Sequence, residues 1–196
     1  MRADEGKRSG SKIFTKTKEA ETSTFYLPLR RSIIFSIILL RFFTMSYTYQ
    51  YPHAALTCDS LIFGRENSKS REDNNLFVLL IQRANEPYQG CWALPGGFME
   101  IDETLEECAA RELMEETQLS GIELHQLRAY STVNRDPRER VVTVTFWGVV
   151  DKSAYTAVAG DDAAQAKWFN IDALPPLAFD HAQMIADGLE ALKELY

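Results

Sequence analysis

Cysteine and histidine are scarce, with three of each in 196 residues. Cys58, Cys91 and Cys108 form no Cys-x-x-Cys pair, which argues against a zinc ribbon or a dithiol redox motif, and three thiols cannot all pair with one another. They are expected to be reduced, buried thiols of a cytoplasmic protein. His53, His125 and His181 are scattered, and no serine or cysteine stands in a nucleophile motif, so a catalytic triad is disfavoured. Positive charge is also short. Lys and Arg number 21 against 28 Asp and Glu, a net charge of -7, which disfavours a surface built to neutralise nucleic-acid phosphates. No nucleic-acid partner is therefore expected, and an anionic substrate must be met locally, through cations. Long apolar runs are lacking as well: residues 33–40 are too short to span a bilayer, which needs about 20 apolar residues in a helix. No membrane association is expected.

The 45% of hydrophobic residues suffices for one domain with one core and one principal site. Residues 1–24 mix charged and small polar residues without apolar periodicity, which is the composition of a disordered segment. Three readings of residues 1–44 stay open: sequence upstream of a true start at Met45, a disordered tail, or a signal or anchor. The first is preferred, because Asp4, Glu5, Glu19 and Glu21 and the missing small-x-small cleavage site are unlike a signal peptide. The expected division is therefore an extension over 1–44 and a folded domain over 45–196.

Residues 54–63 and 76–82 are rich in strand formers and flank the polar stretch 64–75. A short apolar piece, 91–94, runs into Pro95-Gly96-Gly97, which breaks regular structure. Residues 122–133 and 141–150 are predicted strands around a charged loop, residues 159–162 a turn, and residues 167–171 a short strand. The spacing of Ile185, Leu189 and Leu192 predicts a closing helix over 181–195.

The informative helix begins near Leu105. Thr104 and Glu107 have capping-box spacing, in which each side chain satisfies an orphan backbone donor of the first turn. Leu105, Ala109 and Leu113 make an apolar stripe, and Glu112, Glu115 and Glu116 share the adjoining face. Most acidic faces are simply solvated, and Glu107, Arg111 and Glu115 are spaced for i, i+4 ion pairs. Here the face lies close to a Gly-Gly turn, where carboxylate and backbone oxygens can jointly hold magnesium or manganese.

Gly97, five residues, Glu103, seven residues, then Arg111-Glu112-Leu113-Met114-Glu115-Glu116-Thr117-Gln118-Leu119 resembles the Nudix box of pyrophosphate hydrolases. Every defining position matches except Gln118, where the family usually has glycine. A glycine there would be the left-handed residue that ends the helix, and a side chain in that conformation costs about 1 kcal/mol.

The resemblance implies an α/β fold, the Nudix α/β/α sandwich with a mixed sheet. It implies that Glu112, Glu115, Glu116 and the Gly97 carbonyl bind a divalent cation, Mg2+ or alternatively Mn2+. Glu103 and Arg111 would pair to fix the loop against the helix. The base that activates water would be Glu112 or an acid from a later loop, Asp161 or Asp162. The Trp92–Phe98 segment, the Arg135-Asp136-Pro137-Arg138 loop and the Leu177-Ala178-Phe179-Asp180-His181-Ala182 tail are similar to the ADP-ribose pyrophosphatase branch, which yields AMP and ribose 5-phosphate. Arg135, Arg138 and Phe98 become candidate substrate contacts, although charged loops are usually solvated and Phe98 and Trp168 are equally suited to a core. Two alternatives remain. One is a housecleaning enzyme for nucleoside triphosphates. The other is a non-catalytic ADP-ribose sensor akin to Nudix-like transcription regulators, which carry an added C-terminal DNA-binding domain. Only residues 151–196 follow the last long strand, and the acids are intact, which favours the enzyme. A small nucleotide substrate is expected, and a homodimer is left open.

Overall fold

The structure, a computed structural model, describes residues 49–66, 75–160 and 163–194. The expectations for residues 1–44, including a start at Met45, lie outside them. Contacts group Tyr49–Tyr196 as one unit. Its centre is β1 (Ala55–Arg65), paired in parallel with β6 (Val141–Asp151) along its whole length. Both strands are buried almost continuously, as expected for a pair with a helix-covered layer on each side. β2 (Leu76–Arg83) runs antiparallel to β1 and carries β7 (Ala163–Asn170) on its other edge, while β5 (His125–Tyr130) runs antiparallel to β6. The sheet is thus mixed.

Two helices sandwich it. α1 (Leu105–Thr117) packs Cys108, Ala109 and Leu113 against Cys58, Ile62, Leu79 and Phe146. α2 (His181–Glu194) packs Met184, Ile185 and Leu192 against Leu61, Phe63 and Leu80 on the opposite face. The alternation of β1 explains both contacts: Cys58 and Ile62 point to one helix, Leu61 and Phe63 to the other. Ser60 donates its hydroxyl to the Ala109 carbonyl at 3.0 Å, and a Cβ on Gly188 would meet Leu61 at 2.2 Å, so both helices approach the sheet closely. The α/β/α sandwich is the architecture the sequence implied.

Several boundaries differ from expectation, for identifiable reasons. Gly96 and Gly97 do not merely break the chain. They belong to a strand, β4 (Gly96–Phe98), paired with Thr57, Cys58 and Asp59, while β3 (Trp92–Ala93) pairs with β2. A Cβ on Gly96 would lie 2.3 Å from the Cys58 carbonyl, so only glycine permits this approach. β5 is shorter than 122–133, and β7 begins at Ala163 rather than Lys167 because its pairing with β2 extends to Arg83. Cys58 and Cys108 are buried, but Cys91 is only half-buried beside β3. Trp168 packs in the core against Ile62, Leu79 and Leu113 neighbours, its indole N–H donating to the Tyr155 carbonyl, and is not at the candidate site.

Candidate active site

α1 starts where the sequence places it. Thr104 accepts from the Glu107 N–H and Glu107 accepts from the Thr104 N–H, the reciprocal capping box. It ends at Gln118, which takes the left-handed conformation (φ 60°, ψ 17°) and donates its N–H to the Met114 carbonyl. Between these ends, the buried stripe turns the acidic face toward β4.

Arg111 is the hub of that face. Its guanidinium forks onto Glu103, with Nε–Oε2 2.9 Å and Nη2–Oε1 2.7 Å, and donates to the Phe98 carbonyl at 3.1 Å. Nη1 reaches Glu112 at 2.7 Å and Glu115 at 3.1 Å. Glu103 also accepts from the Glu100 N–H, so the loop between β4 and α1 is tied to the helix through one cation. The Arg111 bonds hold the Glu103 carboxyl down at about 2. Glu107 makes no ion pair with Arg111 and serves the cap instead.

Glu112 and Glu116 are nearly buried, whereas Glu115 is 59% exposed. Burial pushes the Glu112 carboxyl above its ordinary value, against the pull of Arg111. A Cβ on Gly97 would lie 2.5 Å from the Glu112 carboxylate, so the bare backbone of β4 faces that carboxylate directly. The Gly96 N–H donates to Glu116 Oε2 at 2.9 Å. Among the described residues, no three His, Cys, Asp or Glu side chains converge as a ready-made cage, because Arg111 and the Gly96 N–H hold these carboxylates. The donor set is nevertheless all hard oxygen, as Mg2+ requires, and a cation entering here would compete with Arg111 for Glu112 and Glu115.

Asp161 and Asp162 lie outside the described residues. Gly160, just before them, donates its N–H to the Glu116 carbonyl at 3.1 Å.

Beside β4 opens a cavity of about 100 Å³ whose walls include Asp59, Arg83, Gly97, Phe98, Arg138 and Phe179. Arg135 and Arg138 both reach it and neither is simply solvated. Arg135, 4% exposed, forks onto Asp180, and Arg138 forks onto buried Asp136 while its guanidinium lies 5.0 Å from the Phe98 ring centre. Phe98 is 39% exposed at the rim rather than in the core. Sequence reasoning did not single out Asp59 and Arg83. The available signals were an aspartate inside the apolar run 54–63 and an arginine closing β2. Arg83 donates to the Pro87 carbonyl and lies 4.9 Å from the Phe179 ring centre. Burial and the neighbouring Arg138 lower its pKa.

A sandwich of this topology with a glycine-backed glutamate helix defines a class, and the profile of the NUDIX domain matches residues 62–188. The chain belongs to the NUDIX family. The ADP-ribose pyrophosphatase of Methanocaldococcus jannaschii is 42% identical over 137 residues, 70% of this chain and 74% of its own. The ADPR responsive transcriptional repressor NtrR of Acinetobacter baylyi is 34% identical over 72% of this chain, which spans only 56% of that repressor. Among solved structures, the NUDIX domain of Shewanella oneidensis NrtR, crystallised with ADP ribose, superposes with a TM-score of 0.64 at 31% identity, over 78% of this chain and 97% of its own. No helix among the described residues is long and apolar enough to cross a membrane.

Proposed function

We propose that the protein is a divalent-metal-dependent pyrophosphohydrolase that cleaves ADP-ribose to AMP and ribose 5-phosphate. The observation that carries this is the Glu112 carboxylate facing the bare backbone of Gly97, with Glu115 joined to it through Arg111 and Glu116 held by the Gly96 N–H, at the edge of a cavity lined by arginines. The likeness to the pyrophosphatase of M. jannaschii supports the substrate.

Glu112, Glu115, Glu116 and the Gly97 carbonyl would hold Mg2+, with Mn2+ as the alternative. When bound, the cation neutralises the diphosphate and lowers the pKa of the attacking water. The chain's own groups do the rest. Arg111 and Glu103 fix the β4–α1 loop so that Gly97 and Glu112 keep their separation. Glu112, or an acid of the segment holding Asp161 and Asp162, accepts the proton of water. Arg138 and Phe98 line the approach to the carboxylates. Holding the diphosphate in line with water is itself a large part of the barrier reduction.

A sensor that binds ADP-ribose without cleaving it is the second reading, favoured by the likeness to the A. baylyi repressor and to the NUDIX domain of S. oneidensis NrtR. Incubation with ADP-ribose and Mg2+ in oxygen-18 water, followed by mass spectrometry, separates the two. Labelled AMP or labelled ribose 5-phosphate shows turnover and identifies the phosphorus attacked, whereas intact ADP-ribose in a saturated complex identifies a sensor. A cytoplasmic location accords with a nucleotide substrate and unpaired cysteines. The domain is proposed to begin near Met45, and light scattering of the purified chain tests the homodimer.

A further inference from the structure

Asp59 is a carboxylate placed where a carboxylate is costly. It sits near the start of the central strand, its side chain only 10% exposed, and it lines the cavity beside β4. Oδ2 is engaged: the Thr143 hydroxyl donates to it at 2.6 Å. Oδ1 is not. Among the described residues no hydrogen bond reaches it, and His181 Nε2 stands 3.8 Å away, too long for one. His181 cannot supply a charge in compensation, because its Nδ1 accepts the Leu94 N–H at 2.8 Å. A ring nitrogen that accepts carries no proton, so the imidazole is neutral with its hydrogen on Nε2.

The other wall of Oδ1 is Gly96. A Cβ there would lie 2.7 Å from Oδ1, so the glycine leaves that oxygen room. An acidic oxygen without a donor, nine-tenths buried and open only toward a cavity, is a site for a hydrogen-bond donor that the protein itself does not provide. The cavity, at about 100 Å³, is several waters in size and well below the volume of a pocket that encloses a whole drug-sized ligand. One moiety of the substrate fits, and the remainder must lie along the open side toward Gly97 and α1. The lining is mixed: Thr57, Arg83, Arg135 and His181 share it with Leu94, Phe98 and Phe179. What favours a sugar hydroxyl is the buried Asp59 oxygen, which needs a donor that a hydroxyl supplies.

We infer that Asp59 is the specificity-determining residue of the site: its Oδ1 accepts a hydrogen bond from a hydroxyl of the terminal ribose, seating that sugar in the cavity while the diphosphate lies against the α1 carboxylates. The inference rests on the ADP-ribose assignment above and names the group that would read the sugar. Arg83, which has no carboxylate within ion-pair distance among the described residues, faces the same cavity and favours the phosphate next to that sugar.

The test is a two-by-two comparison in the full chain with Mg2+. Wild type and Asp59→Asn are each assayed with ADP-ribose and with an analogue whose terminal sugar lacks both secondary hydroxyls. Wild type should lose on the order of 10-fold to 100-fold in kcat/KM on the analogue, the worth of a hydrogen bond to a charged group. Asp59→Asn should lose a similar factor on ADP-ribose and little more on the analogue. Its inhibition constant for ADP, which has no terminal sugar, should match wild type. Equal weakening of ADP and ADP-ribose, or unchanged discrimination against the analogue, overturns the assignment. So does a wild type indifferent to the hydroxyls, whatever the variant does. If Asp59→Asn does not fold, Thr143→Val, which frees Oδ2 and leaves the charge, should reduce the discrimination several-fold, and an unchanged ratio overturns the assignment.

The two hypotheses fail separately. Faster hydrolysis of a nucleoside triphosphate by wild type defeats the ADP-ribose substrate on its own. If ADP-ribose binds without turnover, the same four comparisons are read as dissociation constants. If it does not bind, both assignments fall.

Discussion

Arg135 and Asp180, 45 residues apart in the chain, meet in a two-point fork, with Nε–Oδ2 2.9 Å and Nη2–Oδ1 2.6 Å. The arginine comes from the loop between β5 and β6 and the aspartate from the residue just before α2. The fork therefore ties one wall of the cavity to the helix that covers the sheet. Phe179, beside it, adopts φ 51°, an uncommon value for an aromatic residue that its neighbours must hold in place.

Asp180→Ala should destabilise the protein by about 3 kcal/mol, because it leaves the nearly buried Arg135 charge without its partner. Urea denaturation measures this. Replacing both partners, as Arg135→Met with Asp180→Leu, should recover much of the loss, since the remaining apolar pair carries no uncompensated charge. A double variant as unstable as Asp180→Ala contradicts the charge argument.

Gly97→Ala should separate activity from stability. The new Cβ would fall 2.5 Å from the Glu112 carboxylate, which is the far end of a flexible side chain, so the carboxylate yields and the backbone stays. Stability should drop by no more than about 1–2 kcal/mol, while kcat/KM falls on the order of 100-fold or more, as for loss of a catalytic group. Paired thermal melts and initial rates check both halves. A variant with wild-type turnover shows that the Glu112–Gly97 spacing does not matter.

Much of this site was legible because the information is local. The capping box, the acidic face, the Glu103–Arg111 spacing and the helix stop all lie within one stretch of sequence, where 3.6-residue periodicity converts spacing into geometry. Asp59, Arg83 and His181 were not legible in the same way. They come from β1, β2 and α2 and converge only through the sheet's register, which no spacing announces. The Leu177–Ala182 tail drew notice through resemblance alone; its structural meaning, that Asp180 clamps Arg135 and His181 receives the Leu94 N–H, required coordinates. The strand at Gly96–Phe98 was missed because paired glycines ordinarily signal a break, and only a neighbouring backbone at van der Waals distance makes them a strand.

Gln118→Gly should stabilise the chain by about 0.5–1 kcal/mol, raising Tm by about 1–4 °C, since glycine relieves the left-handed strain at φ 60°. The gain is reduced by the greater freedom of glycine in the unfolded chain. Differential scanning calorimetry decides, and a lower Tm means that contacts of the Gln118 side chain outweigh the strain.

Burial holds the His181 pKa below its ordinary value, and Asp59, Asp180, Arg135 and Arg83 are the charges around it. In the unfolded chain the imidazole takes a proton at about pH 6.5, before the folded one does. The stability it contributes is therefore complete above about pH 6.5 and is lost as pH falls from there through the folded value. Urea midpoints measured between pH 7.5 and 5 should decline below pH 6.5 in wild type. His181→Gln should be less stable at pH 7.5 but flatter across that window, and an equally steep decline removes His181 as the cause.

The most direct measurement compares kcat/KM for ADP-ribose with that for a panel of nucleoside triphosphates, in Mg2+ and after chelation, for wild type and Glu116→Gln. The expected result is that ADP-ribose is the better substrate, that AMP and ribose 5-phosphate appear in equal amounts, and that chelation abolishes turnover. Glu116→Gln should remain folded and lose on the order of 100-fold to 10,000-fold in rate. Faster release of inorganic pyrophosphate from a triphosphate, or near-wild-type turnover by folded Glu116→Gln, would contradict a metal-assisted ADP-ribose hydrolase built on this helix.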